Sequence, residues 1–565
     1  MQKNRECRRF ATARTRAVLA LLAGAMPMSE ALALQFDTGH PELKIRWDNT
    51  VKYNLGYRLE NPSDDVAVPN TVNPNVDFGD RNFDRGLINN RLDLLSELDI
   101  VYKDYGARIS AAAWYDAVYR KRHTDYPEGF APNSKAALLG RRANDRLGDT
   151  ARREMGRDVE LLDAFVYGSA DLGGSSLSAR VGRHTQLYGE TLFLGANGIA
   201  AAQTPVDAIK ALSLPNAQFK EIARPVGQVS TTLQLSQVSL GAYYQFEWRP
   251  HRIPSAGSYF SAADFIGGGG DLLLTPAGPA SRDDDVEGSD SGQFGVSAKF
   301  AAGSVDYGLY AARYHDKAPI PVWNAYSAAG VPPFSGGSYQ IYYQENIETY
   351  GASFSTVFGE TNVAGEISYR RGVPLAVSGD LIINAHAPTA DNEDDTPYAL
   401  GNSLHANVSM ISVLPGSALW DGASLMAELA FNRLLKVTHH PRNPPGLPDV
   451  LNTTHTRDHW AARVVFQPEY FQVLPQVDMQ VPISIGYGIS GRSAIVQMAP
   501  EHGGDVSAGF NFDYQKTWRA GVQWTHYFGH DGPAPAIGPT TSSYASYKQY
   551  YRDRNFVTLS VQRTF

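Results

Sequence analysis

The chain has 565 residues, 43% hydrophobic and 19% charged, with a formal net charge of −8 and a single cysteine. One cysteine excludes disulfide scaffolds, zinc ribbons, iron–sulfur proteins and CxxC redox enzymes, and the negative charge argues against nucleic acid as a partner. At roughly 100–200 residues per domain the length suggests three or four soluble domains, but 52 Gly, 30 Tyr and 24 Phe suit the strands and turns of one large β-barrel.

The chain opens on a basic stretch carrying Lys3, Arg5, Arg8, Arg9, Arg14 and Arg16. A short apolar run from Ala17 to Ala25 follows, then Ala31-Leu32-Ala33, an A-x-A cleavage site. Residues 1–33 therefore read as a secretory signal peptide. The apolar run is too short to span a bilayer, which needs about 20 residues. Losing six basic and two acidic residues takes the net charge from −8 to −12, and Cys7 leaves with them. A thiol-free exported chain suits an oxidising compartment.

From Leu43 to Leu59 the sequence alternates strictly. Leu43, Ile45, Trp47, Val51, Tyr53, Leu55, Tyr57 and Leu59 share one face; Lys44, Arg46, Asp48, Thr50, Lys52, Asn54 and Arg58 share the other. Period two over so long a run predicts a strand. Similar runs follow at 90–102, 107–119, 159–170, 175–183, 228–235, 239–248, 292–301 and 304–314. The rest lie at 346–357, 362–370, 402–413, 422–433, 457–467, 480–489, 505–514, 517–527 and 551–565, which makes eighteen strands, with sixteen as the alternative. Short links such as Lys103-Asp104-Tyr105-Gly106 and Gln515-Lys516 alternate with long ones such as 120–158, 184–227 and 249–291. Periplasmic turns and long extracellular loops give this pattern in bacterial outer-membrane barrels. The final alternation, Val557, Leu559, Val561 and Phe565, resembles the signal that barrel-assembly machinery reads.

In such a barrel the apolar face meets lipid and the polar face lines the lumen. Tyr57, Tyr102, Tyr119, Tyr167, Trp248, Tyr314, Tyr369, Trp460, Trp524 and Tyr527 fall near strand ends, where interfacial girdles belong. Lys44, Arg46, Asp48, Arg58, Arg91, Asp93, Glu97, Asp99, Arg108 and Asp116 face the lumen, either as a wall-stiffening network or as a substrate ladder. Within the long 184–227 connection, Thr204-Pro205-Val206-Asp207 reads as a helix start, with Thr204 as N-cap and a short helix from Val206 to Leu212. Such a helix folds inward to narrow the lumen or lies along the surface.

No HExxH, GxxxxGK or GxSxG motif occurs, so no catalytic, cofactor or metal site is expected. His439 and His440 lack a third ligand at metal spacing. The acidic clusters Asp283-Asp284-Asp285 and Asp391 with Glu393-Asp394-Asp395 lack EF-hand spacing.

Several motifs resemble a proteobacterial outer-membrane family long labelled a domain of unknown function. They are Gly182-Arg183-His184-Thr185-Gln186-Leu187-Tyr188-Gly189-Glu190-Thr191, Thr204-Pro205-Val206-Asp207, Ala223-Arg224-Pro225-Val226 and Tyr244-Gln245-Phe246-Glu247-Trp248-Arg249-Pro250. Gly257-Ser258-Tyr259-Phe260-Ser261, Asp264-Phe265 and Gly269-Gly270-Asp271 continue the match, while Tyr188 stands where the family pattern carries Trp. The resemblance implies one domain filling the mature chain, and a role in uptake of hydrophobic compounds such as steroids and alkanes. It also implies a periplasmic lipoprotein-sorting-like partner and an inner-membrane efflux-type transporter.

The expectation is therefore an all-β chain: one transmembrane antiparallel β-barrel over residues 34–565, in contact with outer-membrane lipid and lipopolysaccharide. It would pass hydrophobic or amphipathic small molecules without bond chemistry. A general porin for polar solutes and a barrel used for surface adhesion are the alternatives. Arg183, Glu190, Asp207, Lys210 and Arg224 are the candidate lumen constriction, because they lie in or beside the segment expected to enter the lumen.

Overall fold

The computed structural model describes residues 34–67, 75–76, 78–121, 133–141, 147–214, 218–327, 335–377, 379–386, 388–537 and 543–565. The proposed signal peptide lies outside them. Eighteen antiparallel strands close into one barrel. The first six are β1 (Leu43–Arg58), β2 (Gly86–Tyr102), β3 (Tyr105–Asp116), β4 (Arg157–Asp171), β5 (Ser175–His184) and β6 (Val226–Leu235). Then come β7 (Val238–Gln245), β8 (Gln293–Ala302), β9 (Val305–Tyr314), β10 (Ile347–Phe358), β11 (Thr361–Pro374) and β12 (Leu400–Leu414). The last six are β13 (Gly422–His439), β14 (Asp458–Leu474), β15 (Val477–Gln480 and Ile483–Ser490), β16 (Gly504–Tyr514), β17 (Trp518–Phe528) and β18 (Phe556–Thr564). β15 is interrupted at Pro482, which has no N–H to give the ladder. β18 pairs with β1 from Thr50↔Thr564 to Arg58↔Phe556 and closes the barrel. A short strand, Leu34–Phe36, adds to β1 below that pairing.

Eight tight connections at one end alternate with nine long loops at the other. At Gln515 and Lys516 both residues take positive φ, 53° and 55°, and the Thr517 amide closes the turn on the Tyr514 carbonyl at 3.1 Å, the twist of a primed hairpin turn. The long loops build a small five-stranded sheet from Leu272–Thr275, Gly278–Arg282, Ile320–Asn324, Ser338–Tyr342 and Ile382–Asn384.

Period two decides which side chains meet lipid. Val166, Leu309, Ile367, Val408 and Leu429 are exposed on the outer face. Val408 lies mid-strand on that face, so V408R is expected to cost about 2–4 kcal/mol, read from urea unfolding in lipid vesicles. Tyr57, Tyr102, Tyr369, Trp460 and Trp524 are exposed near strand ends, as a girdle requires. Tyr119, Trp248, Tyr314 and Tyr527 are buried inside instead. Tyr314 and Tyr527 fall on the luminal side of β9 and β17, and Tyr119 and Trp248 lie just beyond strand ends where the chain turns inward.

The luminal charges pair with one another. Arg46 meets Asp48 at 2.7 Å and Arg91 meets Asp93 at 2.6 Å. Arg108 bridges Glu97, Asp99 and Asp163 across β2, β3 and β4. On the outer face Arg563 lies over the Trp518 ring, 5.1 Å from its centroid, which shelters the one charge on that side of β18.

Candidate functional site

The connection from β5 to β6 makes its contacts on the far wall. Glu366 of β11 and Glu428 of β13 point into the lumen and are buried, at 6% and 2% exposure. Glu366 Oε2 accepts the Glu190 amide at 2.5 Å, and Oε1 accepts the Ile199 amide at 2.8 Å. Glu428 Oε2 accepts the amides of Phe193 at 2.6 Å and Leu194 at 2.7 Å. Its Oε1 accepts from Thr191 Oγ1 at 2.9 Å and Asn407 Nδ2 at 2.7 Å. Arg370 Nη2 donates to the carbonyls of Asn197 and Gly198 at 2.8 and 2.7 Å. The Asn197 side chain in turn donates from Nδ2 to Asn407 Oδ1 at 2.8 Å. Buried carboxylates and guanidinium thus satisfy backbone groups that have no secondary-structure partner. Gly189 has φ +85°, and a Cβ there or at Gly198 would overlap the Glu366 carboxylate. Glycine at these two positions is what lets the backbone approach so closely. Tyr188 packs edge-on against Tyr243 at 5.4 Å and beside Tyr310 at 5.3 Å.

The segment then runs back. Val206 bridges to Ala223, and Asp207 to Arg252. These bridges hold residues 204–207 extended, so the helix starts later than the sequence suggests: it spans Ala208–Ser213 with Asp207 as N-cap, accepting from the Lys210 amide at 2.9 Å. Thr204, expected to cap it, donates from Oγ1 to the Arg224 carbonyl at 2.6 Å. Ile209 joins a buried cluster with Phe83, Tyr119, Tyr259, Tyr527 and Phe556, and Tyr527 Oη lies 3.5 Å from the Leu212 carbonyl on the β17 side. The chain between β5 and β6 therefore touches β11, β12, β13 and β17 and crosses the lumen.

The five candidate constriction residues divide. Arg183 pairs with Glu247 and donates to the Leu161 carbonyl at 3.2 Å. Arg224 meets Glu160 Oε1 at 2.5 Å, and Arg249 meets the same oxygen at 2.8 Å. Asp207 takes Arg252 at 3.2 Å, and Arg252 lies 3.7 Å from Glu160. These groups converge on a cavity of ≈ 740 Å³ that Arg183, Arg224, Arg249, Arg252 and Glu160 help to line. Trp114 forms part of its wall beneath the Arg252 guanidinium, 4.4 Å from the ring centroid. Glu190 lies apart, with Lys299 and Asp306 the nearest charges on β8 and β9, and burial raises its carboxyl. Lys210 stays within its own loop, donating to the Glu221 carbonyl at 2.6 Å.

Sequence reading missed Glu160, Glu247, Arg252, Glu366, Arg370 and Glu428. Each meets partners far away in sequence, so no local spacing marks them; the glycines at 189, 195 and 198 were the only nearby sign of a close approach. His439 Nε2 bonds the Thr396 carbonyl and His440 Nε2 bonds Asp449, and Asp285 pairs with Arg282 at 2.7 Å.

His251 ties the inward segment to the cavity wall: its Nδ1 accepts the Val206 amide at 3.0 Å, which requires a neutral ring. Burial pushes the ring from 6.5 down to about 3, with Lys317 and Arg224 adding to the effect. The unfolded ring takes up a proton that the folded ring refuses. The contribution of this group is thus complete above pH 6.5 and is lost as pH falls toward 3. Amide exchange at Val206, measured relative to β-strand amides, is expected to accelerate across that window and to lose the dependence in H251A.

A closed barrel of eighteen antiparallel strands, with an apolar outer face and all its long loops at one end, defines a bacterial outer-membrane protein. The chain belongs to the DUF1302 family, described as a protein of unknown function, whose model matches residues 13–565. No curated protein matches the sequence. Among solved structures, Acinetobacter baumannii OccAB2 is similar with 10% identity and a TM-score of 0.39, covering 92% of this chain and 98% of that one. Pseudomonas aeruginosa OccK2 (OpdF), in complex with glucuronate, matches at 9% identity, TM-score 0.37, over 92% and 98% of the two chains. Salmonella typhi OmpF, in complex with daunomycin, matches at 8% identity, TM-score 0.35, over 94% and 100%.

Proposed function

We propose that this barrel takes up hydrophobic or amphipathic small molecules across the outer membrane. The observation that carries the proposal is the inward segment, held across the lumen by Glu366, Arg370 and Glu428. A general porin keeps an open aqueous channel, whereas here buried aromatic clusters around Tyr188, Tyr259 and Tyr398 fill the loop side of the barrel. Passage then needs only a route whose binding is weak enough to release its solute. The partners of this reading are outer-membrane lipid and lipopolysaccharide on the apolar face, and barrel-assembly machinery for insertion. A periplasmic lipoprotein-sorting-like protein would receive the solute.

A strain lacking the protein is expected to grow poorly on a sterol or alkane as sole carbon source and normally on succinate. Unimpaired growth on every hydrophobic source tried, together with rapid sugar flux through the purified barrel, would favour the general porin.

A further inference from the structure

Among the described residues, one edge at the rim of the barrel is left unpaired. β4 pairs with β3 back to Arg157 but with β5 only from Ala164 onward. Among the described residues no strand pairs with 157–163 on the β5 side. At two other steps in the rim the first residue beyond the ladder finds a partner for its amide: Asn90 of β2 donates to Asp116 Oδ1 at 3.1 Å, and Leu434 of β13 donates to the Arg457 carbonyl at 2.8 Å. At the β4 edge, the Arg183 guanidinium reaches the Leu161 carbonyl instead.

Alternation along β4 sets Glu160 on the luminal side and Val159 and Leu161 on the lipid side, where they are 73% and 44% exposed. Val159, Glu160 and Leu161 all line one cavity, so that cavity reaches the unpaired edge of β4. Its lip at that edge is apolar, formed by Val159 and Leu161. Arg224, Arg249 and Arg252 converge on Glu160, with Arg252 also meeting Asp207, and Glu154, Asp158, Asp271 and Asp285 line the same cavity beside Arg183 and Arg282. Arg224 Nε is buried without a hydrogen-bond partner. Its volume of ≈ 740 Å³ falls in the range of roughly 300–1,000 Å³ that encloses small ligands.

We propose that this cavity binds an amphipathic small molecule with an acidic head group, held by Arg224, Arg249 and Arg252. The apolar body of that molecule passes beside Val159 and Leu161, at the unpaired edge of β4, into the hydrocarbon of the membrane. The inference rests on the uptake reading above and adds to it a ligand class and a lateral route. Guanidinium pairs with carboxylates are directional and strong, so an acid should be preferred over its neutral ester.

The test uses the full barrel in nanodiscs and proteoliposomes, with glycocholate and its uncharged methyl ester as probes. Calorimetry on the wild type is expected to give about tenfold tighter binding of the acid, the worth of one charge-assisted hydrogen bond, and R249A is expected to abolish that preference. L161C labelled with a bulky methanethiosulfonate is expected to lose most glycocholate uptake and to regain it on reduction. V166C, on the outer face of β4 below the unpaired edge, should label without effect. Equal binding of acid and ester by the wild type, or a preference retained in R249A, would overturn the head-group site. Unchanged uptake by labelled L161C would overturn the lateral route. Wild type that carries a neutral sterol without acid preference contradicts this inference alone, whereas wild type that carries neither probe nor sterol contradicts the uptake reading as well.

Discussion

The double variant E366A/E428A is expected to raise single-channel conductance several-fold over wild type in planar bilayers while the barrel itself stays folded. Together the two carboxylates accept five backbone amides of residues 190–199, at 2.5 to 3.3 Å. Hydrogen bonds to a charged group contribute about 1.5–3 kcal/mol each, more than the packing of a short irregular segment supplies. Alanine at both positions leaves those amides unpaired in the lumen, and water replaces the carboxylates. The strands lose nothing, since the ladders of β11 and β13 are made by backbone. E366Q/E428Q keeps an acceptor at each site and should fall between the two. Unchanged conductance in the alanine double variant would mean that the segment does not limit flow.

D80A is expected to be the most destabilising single substitution, by about 3–5 kcal/mol, the range seen when one partner of a buried ion pair is removed. Asp80 is 1% exposed between two guanidiniums, Arg58 at 2.9 Å and Arg554 at 2.9 Å. Arg58 also donates to the carbonyls of Phe83 and Asp553, and Arg554 to those of Tyr259 and Ser261. This knot fastens the first and last long loops above the closing pair of strands. Burial by itself raises the Asp80 carboxyl, but Arg554 and Arg58 outweigh it and hold the group below its ordinary 3.8. Its stabilisation is thus present above pH 3.8 and is lost as pH falls further. Urea unfolding in lipid vesicles reads the loss; an effect under 1 kcal/mol would mean that loop packing alone holds the knot.

The barrel was legible because lipid on one side and a polar lumen on the other impose period two on every strand. Eighteen runs and the short–long rhythm of their connections were enough. The girdle was only half legible: Tyr57 and Trp524 meet the bilayer, but Tyr314 and Tyr527 fall one residue off phase and pack inward. A shift of one residue reverses a side chain's face, and hydrophobicity alone does not report it for tyrosine. The short helix was visible, but not its start, since the bridges at Val206 and Asp207 are tertiary. Arg183, Asp207 and Arg224 stood out in the sequence as charges in an unusual segment. Their partners Glu247, Arg252 and Glu160 did not, because a charged side chain looks the same in sequence whether it faces water or a buried group of opposite charge. Glu366 and Glu428 lie more than 160 residues from the amides they hold, beyond the reach of any motif.

Solute flux through the purified wild-type barrel tests the central claim most directly. Proteoliposomes would be assayed side by side for swelling in arabinose and for uptake of a radiolabelled sterol. The expected result is sterol entry well above protein-free vesicles, with arabinose swelling close to that of empty vesicles until E366A/E428A releases the segment. Wild-type swelling at the rate of an open porin, with no sterol entry, would contradict it.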